Sequence, residues 1–224
     1  MRLVLLSDVH ANEPALRAVL ADLADESFDR LVCVGDIVGY GPDPAACLSL
    51  VRDHADVCVA GNHDREANTP ERYSGHPTAG PGLEHTYEEL GDDELAWLDE
   101  LPERRRLEAC STTVAHSHPV PEHTDRYVYP ADFSDVGSTV DTALLAMGHT
   151  HVQGAEMVGE TLVVNPGSVG QPRDGEPGAA YAIVDTDDRT ADLRRVEYDV
   201  NAVRERVRAA GLPDETWKRL LDGR

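Results

Sequence analysis

Residues 3–10 read LVLLSDVH, four apolar residues followed by a polar turn that contains an aspartate and a histidine. The same arrangement returns at residues 31–36, LVCVGD, and again at residues 57–64, VCVAGNHD. Continuous apolar runs of this length are typical of strands that are buried on both faces of a sheet. The three stretches therefore predict parallel strands whose carboxyl ends carry polar side chains.

Helix signals separate the three runs. Apolar residues recur at helical spacing over about residues 13–23, and Asp43 followed by Pro44 is typical of the N-cap and first position of a second helix. Strands that alternate with helices in this way imply right-handed crossovers and a parallel sheet with helices on its outside.

The second half of the chain is rich in strand patterns. Gly159-Glu160 is a candidate two-residue turn, and we interpret the arginines at 104–106 as a solvated segment that leads into a strand. Strands are predicted at about residues 106–110, 112–116, 143–147, 154–158, 161–164, 179–185 and 191–198. The whole pattern predicts a four-layer α/β/β/α sandwich, two mixed sheets flanked by helices, in a single domain over residues 1–224. Helices over about residues 200–222 are expected to pack on the outside.

The charge balance narrows the range of functions. The chain has 42 acidic and 20 basic residues and a net charge of −22, and Lys218 is its only lysine. Such a surface favours a protein that stays soluble in a very salty cytoplasm, such as that of a halophilic archaeon, because salt screens the repulsion between carboxylates. Stable binding to duplex nucleic acid is not expected, because neutralising phosphates requires clustered Lys and Arg.

Other features favour a cytoplasmic protein that does not bind membranes. The first apolar run is too short for a signal peptide, and no run is long enough to span a membrane. No C-x-x-C spacing occurs, so neither a disulfide framework nor a zinc knuckle is expected from Cys33, Cys47, Cys58 and Cys110. No pattern indicates an oligomeric state.

Candidate metal ligands occur on five short stretches, each after an apolar run. The stretches are Asp8-Val9-His10, Gly35-Asp36, Gly61-Asn62-His63-Asp64, His116-Ser117-His118 and Gly148-His149-Thr150-His151. Loops at the carboxyl edge of such a sheet converge on one crevice, so the five stretches can meet. Buried carboxylates and imidazoles are costly unless a positive charge lies between them. The pattern therefore predicts divalent cations bound in one pocket.

The types of side chain suit particular metals. Oxygen and imidazole ligands without thiolates are typical of Mn, Fe, Co, Ni or Zn in a catalytic site. A carboxylate such as Asp36 can bridge two cations about 3.5–4 Å apart, and a water between them loses a proton near neutral pH. We therefore expect two divalent metal ions and hydrolysis by a metal-bridging hydroxide.

The five stretches follow the order D-x-H, G-D, G-N-H-D, H and G-H-x-H, and in this order they resemble the calcineurin-like metallophosphoesterase superfamily over residues 1–185. Residues 35–44 and 165–169 look like its small prokaryotic phosphodiesterase branch. The resemblance implies a binuclear-metal-dependent phosphoesterase that acts on a small-molecule phosphoester, with phosphodiesters favoured over phosphomonoesters.

The resemblance also implies a role for each side chain. The implied metal ligands are Asp8, His10, Asp36 and His151 for one ion, and Asp36, Asn62, His116 and His149 for the other. His63 would be the general acid or a transition-state stabiliser near the leaving oxygen, with Asp64 as a partner that orients it. Imidazole suits proton transfer near pH 7, which agrees with this role.

Departures from the family pattern bear on the substrate. Gly39-Tyr40-Gly41 stands where protein serine/threonine phosphatases have Asp-Arg-Gly, so an arginine that clamps a phosphomonoester is missing. The fourth stretch has Ser117 where the family usually has glycine, and His118 is a candidate substrate contact. Tyr40 either stacks on a base or aryl group or packs over a glycine-hinged loop. Arg173 either binds a phosphate or belongs to a structural turn.

Two other functions are alternatives. A non-catalytic protein-interaction scaffold on the same fold would be expected to lose His63 or several ligands, and all of them are present. A metal amidohydrolase normally opens with His-x-His on a barrel strand, whereas this chain has Asp8-x-His10. The physiological substrate stays open among cyclic nucleotides, dinucleotides, nucleic-acid ends and small phosphodiesters.

Overall fold

The computed structural model describes residues 1–224 and has ten strands in two five-stranded sheets. The first sheet contains β1 (Arg2–Leu6), β2 (Arg30–Cys33), β3 (Val57–Cys58), β9 (Ala179–Asp185) and β10 (Thr190–Val196), in the spatial order β10-β9-β1-β2-β3. The second contains β4 (Arg104–Leu107), β5 (Thr112–Ala115), β6 (Leu144–Ala146), β7 (Gly154–Val158) and β8 (Thr161–Asn165), in the order β4-β5-β6-β8-β7.

Eight α-helices connect the strands or follow them. They are α1 (Glu13–Asp22), α2 (Pro44–His54), α3 (Asn62–Glu66), α4 (Ala79–Glu89), α5 (Asp92–Asp99), α6 (Phe133–Gly137), α7 (Val200–Ala209) and α8 (Glu215–Lys218). A bilayer-spanning helix would need a longer apolar stretch than any of them provides.

Strand direction explains the apolar runs of the sequence. β1 pairs in parallel with β2, and β2 with β3, while β5, β6 and β8 run parallel in the second sheet. Along β1, Leu3 and Leu5 face the second sheet, whereas Val4 and Leu6 face the helices. Because both faces of β1 are covered, all four positions are apolar.

The two sheets pack face to face, and helices cover their outer faces. Side chains from both sheets, such as Leu5 of β1 and Leu144 of β6, share one buried cluster between them. The outer face of the first sheet packs against α1, α2 and α5, and α6 covers the second sheet through Phe133 and Val136. The predicted α/β/β/α sandwich of two mixed sheets is confirmed.

The strand before Cys110 is shifted from its predicted position. The sequence predicts a strand over residues 106–110, but β4 spans Arg104–Leu107 and residues 108–110 form a short 3-10 helix. β4 is an edge strand that pairs only with β5. An edge strand tolerates charged side chains because one side of it faces solvent. The arginine run is therefore part of the strand and does not merely lead into it.

The C-terminal helices pack beside the loops that follow β1 and β2. Their own small core consists of Val203, Val207, Leu212 and Leu220. Arg206 of α7 forms ion pairs with Glu13 of α1 and with Asp43 at the start of α2. Asp43 therefore serves as an ion-pair partner, and its side chain makes no N-cap hydrogen bond to α2.

Candidate metal centre

The five predicted stretches converge in one buried pocket. His151 Nε2 lies 3.1 Å from Asp8 Oδ1, and His116 Nε2 lies 3.3 Å from Asp36 Oδ2. His10 Nε2 lies 3.1 Å from His151 Nε2, across 141 positions of sequence, and 3.7 Å from Asp36 Oδ2. The loops after β1, β2, β5 and β6 therefore point their polar side chains at one another.

Three sets of side chains bring their ligand atoms within 4.8 Å of one another. The sets are Asp8, His10 and His151; Asp36, His116 and His149; and His10, Asp36 and His63. All of these residues are buried. The first set contains three of the four members of one predicted ligand group, without Asp36, and the second contains three of the other, without Asn62. The third set brings His63 close to His10 and Asp36.

Four buried polar atoms of this cluster have no partner in hydrogen-bond geometry, although Asp8 Oδ1 and His116 Nε2 each lie within 3.3 Å of a polar atom of another residue. They are Asp8 Oδ1, Asn62 Oδ1, His63 Nδ1 and His116 Nε2. Each buried polar atom that is left unpaired costs about 1–3 kcal/mol, so four of them on neighbouring loops favour a bound ligand at this place. Carboxylate and amide oxygens together with imidazole nitrogens suit a divalent cation, and the residues present therefore fit a metal site.

Backbone carbonyls fix the orientation of the histidine rings. Three rings donate through Nδ1 to backbone oxygens, in the pairs His10–Val38 (3.1 Å), His116–Val34 (2.8 Å) and His151–Gln171 (2.5 Å). His149 has the opposite orientation, with its Nε2 3.1 Å from the carbonyl oxygen of Asp125. The free nitrogen is thus Nε2 in three rings and Nδ1 in His149, and its direction is set before a metal arrives.

Backbone strain is concentrated at the same residues. Five predicted ligands have left-handed backbone conformations: Asp8 (φ 53°), His10 (φ 47°), Asp36 (φ 54°), His149 (φ 68°) and His151 (φ 59°). For residues other than glycine this conformation costs roughly 1–3 kcal/mol each and persists only where the surroundings enforce it. Clustered strain of this kind is typical of functional sites.

Burial and charge set the protonation states of the pocket. Burial lowers the pKa of His10 and of His151, and lowers the pKa of His149 to about 4, so these rings are neutral and able to bind a metal. Burial alone would raise the pKa of Asp36, but His116 holds it well below its usual range. Burial disfavours the charged form of His116, yet the Asp36 carboxylate outweighs it and raises the His116 pKa to about 10. A cation that binds at His116 must therefore displace a proton.

His63 lies at the edge of the metal-binding side chains. Its backbone N–H donates to Asp36 Oδ1 at 2.8 Å, and its ring packs 4.6 Å from Tyr40 and 5.5 Å from Tyr73, measured between ring centres. Burial lowers the pKa of His63 to about 4, so the ring is neutral at pH 7. It needs a nearby negative charge, such as that of a phosphate, to gain a proton.

Asp64 does not contact the His63 ring, contrary to the orienting role that the resemblance implies. Its carboxylate accepts hydrogen bonds from the backbone N–H groups of Asp36 (2.8 Å), Ile37 (2.8 Å), Val38 (3.3 Å) and Gly61 (2.9 Å). Burial raises the pKa of Asp64 to about 6, although these donors oppose the change. Asp64 therefore supports the loop that carries Asp36, a role that sequence spacing alone did not indicate.

Asp64→Asn is expected to lower the free energy of unfolding of the metal-free protein by about 2–4 kcal/mol. Each carboxylate oxygen accepts two backbone N–H groups, so an NH₂ group at either position would face donors. Urea unfolding followed by circular dichroism measures the change. Asp53→Asn, at an exposed position of α2, is the matched control and should shift stability by less than about 0.5 kcal/mol. Equal stability of the two variants would contradict the supporting role.

The structure favours the packing interpretation of Tyr40. The side chain is 7 % exposed, and its ring lies 4.8 Å from His10 and 4.6 Å from His63. The guanidinium carbon of Arg173 lies 5.6 Å from the centre of the Tyr40 ring. Tyr40 therefore helps to hold two functional side chains in place, and little of its ring is free to stack on a substrate.

Other side chains differ from their sequence interpretation or were not foreseen. His118 belongs to none of the metal-binding sets; its Nδ1 accepts from the Val120 N–H, and its ring lies 4.9 Å from His123. Tyr73 accepts a hydrogen bond from Asn62 Nδ2 at 3.0 Å. Tyr127 stacks on His149 at 4.2 Å. Neither tyrosine lies in one of the five stretches, so no spacing signal marked it.

Comparison with known proteins assigns the family. The family model of the calcineurin-like phosphoesterase superfamily domain matches residues 1–189. The chain belongs to the calcineurin-like phosphoesterase superfamily. All residues of the metal-binding sets lie within the part that matches this superfamily, whereas α7 and α8 lie beyond it.

Several members of the superfamily resemble the chain over most of its length. An uncharacterized protein of Methanocaldococcus jannaschii is 33% identical over 240 residues, covering 99% of this chain and 98% of that protein. The phosphodiesterase YfcE of Escherichia coli is 30% identical over 199 residues, covering 84% of this chain and 89% of YfcE. The crystal structure of a metallophosphoesterase from Sphaerobacter thermophilus aligns with a TM-score of 0.83 and 34% identity, over 100% of this chain and 99% of that one.

Proposed function

We propose that the chain, as one domain over residues 1–224, is a binuclear-metal-dependent phosphoesterase that hydrolyses phosphodiesters in preference to phosphomonoesters. One observation carries the proposal: in a member of a phosphoesterase family, buried carboxylate and imidazole side chains from separate loops come together, and Asp8 Oδ1, Asn62 Oδ1 and His116 Nε2 among these loops have no hydrogen-bond partner. Nothing in the fold itself requires these atoms to be unpaired, so we assign them to a metal.

The two ligand groups share Asp36. We assign Asp8, His10, Asp36 and His151 to one divalent ion, and Asp36, Asn62, His116 and His149 to the other. Asp36 would belong to both groups, because its Oδ2 lies 3.7 Å from His10 Nε2 and 3.3 Å from His116 Nε2. When bound, divalent ions supply Lewis-acid chemistry that activates water and neutralises charge on the phosphoryl oxygens. The donor set suits Mn, Fe, Co, Ni or Zn.

His63 is assigned as the proton donor to the leaving alcohol. Its Nδ1 packs against Gly39, where an added Cβ would come within 2.2 Å, so Nε2 is the nitrogen available to a substrate. Burial lowers the pKa of the ring to about 4, so it needs a nearby negative charge to gain a proton. Tyr40 and Tyr73 pack against the ring and restrict its orientation. His63 thus serves as the general acid, and burial keeps its imidazole neutral until a substrate binds.

The preference for phosphodiesters rests on two observations. YfcE, a relative at 30% identity, is a phosphodiesterase. The loop of residues 39–41 places Tyr40 against His63 and has no arginine of its own, so Arg173 is the cation beside Tyr40 and a second one for the additional charge of a phosphomonoester is not provided by this loop. No observation favours a scaffold function, since every assigned ligand and His63 are in place.

A substrate panel tests the function. We expect hydrolysis of bis(4-nitrophenyl) phosphate to exceed that of 4-nitrophenyl phosphate when the protein is loaded in turn with Mn, Ni, Co, Zn and Mg. Exhaustive chelation should lower turnover by a factor of about 10² or more, and metal should restore it. Undiminished cleavage after chelation would overturn the proposal.

Metal loading should also stabilise the fold, because the site is complete only in the folded chain. At a free metal concentration 100 times Kd, the expected gain is about 2.7 kcal/mol. Differential scanning calorimetry of chelated and reloaded protein measures the accompanying rise in melting temperature. An Asp8→Asn variant should lose much of the rise; a full rise in that variant would remove Asp8 from the ligands.

A further inference from the structure

The rim of the metal centre carries exposed aromatic rings. Tyr127 and Tyr129 are 49% and 45% exposed, on a segment without regular secondary structure. Tyr127 stacks on His149 with ring centres 4.2 Å apart and planes 14° from parallel, and Tyr129 continues the stack at 6.0 Å and 19°. We call these two side chains the tyrosine stack. Large rings that are left half in water beside a catalytic pocket suit a ligand with a flat apolar face.

The segment that carries the tyrosine stack is anchored to the metal-binding side. The carbonyl oxygen of Asp125 lies 3.1 Å from His149 Nε2, and the backbone N–H of Asp125 donates to Ser117 Oγ at 2.8 Å. The Asp125 carboxylate forms an ion pair with Arg65. These three contacts fix the rings relative to the pocket, so a bound ligand would meet a preformed surface.

A cation and a cavity lie beside the stack. The Arg173 guanidinium donates to the Gln171 amide oxygen at 2.7 Å and forms no ion pair, although the chain has a net charge of −22. The backbone N–H of Arg173 donates to the His151 carbonyl oxygen at 3.1 Å, and its guanidinium carbon lies 5.6 Å from the centre of the Tyr40 ring, so Arg173 lies at the rim of the same centre. Tyr127 also lines a cavity of about 350 Å³, together with Arg126 and Asp132 among others. This volume lies in the range of small-molecule sites.

We propose that the tyrosine stack and Arg173 bind the organic part of a phosphoester that carries an aromatic ring, with nucleotides as the ligand class. The ring lies on the tyrosines, Arg173 faces a phosphate oxygen, and the cavity receives the sugar, whose hydroxyls can donate to Asp132. An unpaired arginine is needed here because the surrounding negative charge otherwise repels a phosphate. The assignment rests on the proposed function, since it names the substrate class of the same centre.

Binding of three phosphates to the Mn-loaded full chain tests the proposal by isothermal titration calorimetry. AMP and ribose 5-phosphate differ only by the base, and phenyl phosphate carries a ring without a sugar. Stacking of one base on an aromatic side chain predicts that AMP binds about tenfold more tightly than ribose 5-phosphate. Equal affinities would overturn the proposal. Phenyl phosphate that binds as tightly as AMP would overturn the nucleotide assignment.

Variants locate the effect. Tyr129 contacts no assigned ligand, so Tyr129→Leu should remove most of the preference for AMP and leave the affinity for ribose 5-phosphate unchanged, while Tyr129→Phe keeps both. Tyr87→Leu, at another half-exposed tyrosine, is the matched control and should bind like the unmodified chain. Arg173→Gln should weaken all three phosphates by a similar factor. An unaltered AMP preference in Tyr129→Leu would overturn the site. These experiments measure binding constants, whereas the proposed function is tested by hydrolysis of bis(4-nitrophenyl) phosphate. A negative result for nucleotide binding would therefore not contradict the proposed function.

Discussion

Asp36→Asn is expected to lower kcat/KM for a phosphodiester by a factor of about 10³ and to reduce binding at both metal positions. The side chain has two duties: Oδ2 faces His10 and His116, and Oδ1 accepts the N–H of His63. Asparagine keeps the shape of the side chain but removes the charge that attracts both cations. It also places an NH₂ group either against a metal or against the N–H of His63.

Metal content by elemental analysis, measured alongside the kinetics, separates these effects. The Asp36 carboxylate raises the pKa of His116 in the metal-free protein, so His116 should be less protonated in the variant. The variant should therefore release fewer protons when metal is added. Asp53→Asn provides a control that changes the net charge by the same amount at an exposed site. Two tightly bound ions in Asp36→Asn would contradict the bridging assignment.

His63→Ala should lower kcat by a factor of about 10²–10⁴ while both metals stay bound. The loss should be largest for esters with poorly acidic alcohols, because their leaving oxygen requires a proton. It should be smaller for 4-nitrophenyl esters, whose leaving group departs readily as an anion. A series of phosphodiesters with graded leaving-group pKa values, tested at constant metal loading, measures this difference.

The competing role for His63 is that of a ligand, because its ring also forms a set with His10 and Asp36. Loss of one metal in His63→Ala would assign it to the ligands, and an equal loss of rate for all leaving groups would exclude proton donation. His54→Ala, at an exposed histidine at the end of α2, serves as the control for removal of an imidazole.

The sequence predicted those parts of the fold that burial imposes on residue type. β1 is covered on both faces over residues 3–6, so these four positions are apolar, and the polar turn after them marks where the strand ends. β4 was misplaced because an edge strand can carry three arginines and so lacks that signature. The five stretches follow buried strands, so the same apolar signature located the ends of those strands. The meeting of the stretches at one edge could therefore be predicted from the sequence.

The site was foreseen less completely where backbone atoms or irregular segments contribute. The support that Asp64 gives to the Asp36 loop uses only backbone donors, and these carry no mark in the sequence. Tyr127 and Tyr129 lie in a segment with neither helical nor strand periodicity, so nothing linked them to His149. Candidate metal ligands can be recognised in a sequence because only a few side-chain types bind metals. The contacts that support them depend on packing and cannot be recognised in this way.

The position of β1 has a consequence for the order of events during synthesis. β1 lies in the middle of its sheet, between β2 and β9, and the Asp8 carboxylate that follows it accepts the N–H of His149 at 3.1 Å. A ribosome therefore has to release the chain beyond residue 185 before the first strand gains its second neighbour. Contacts so distant in sequence form slowly, and until then the acidic ligands remain hydrated. The loop after β1, which carries Asp8, is accordingly fixed late, once β9 has paired with β1.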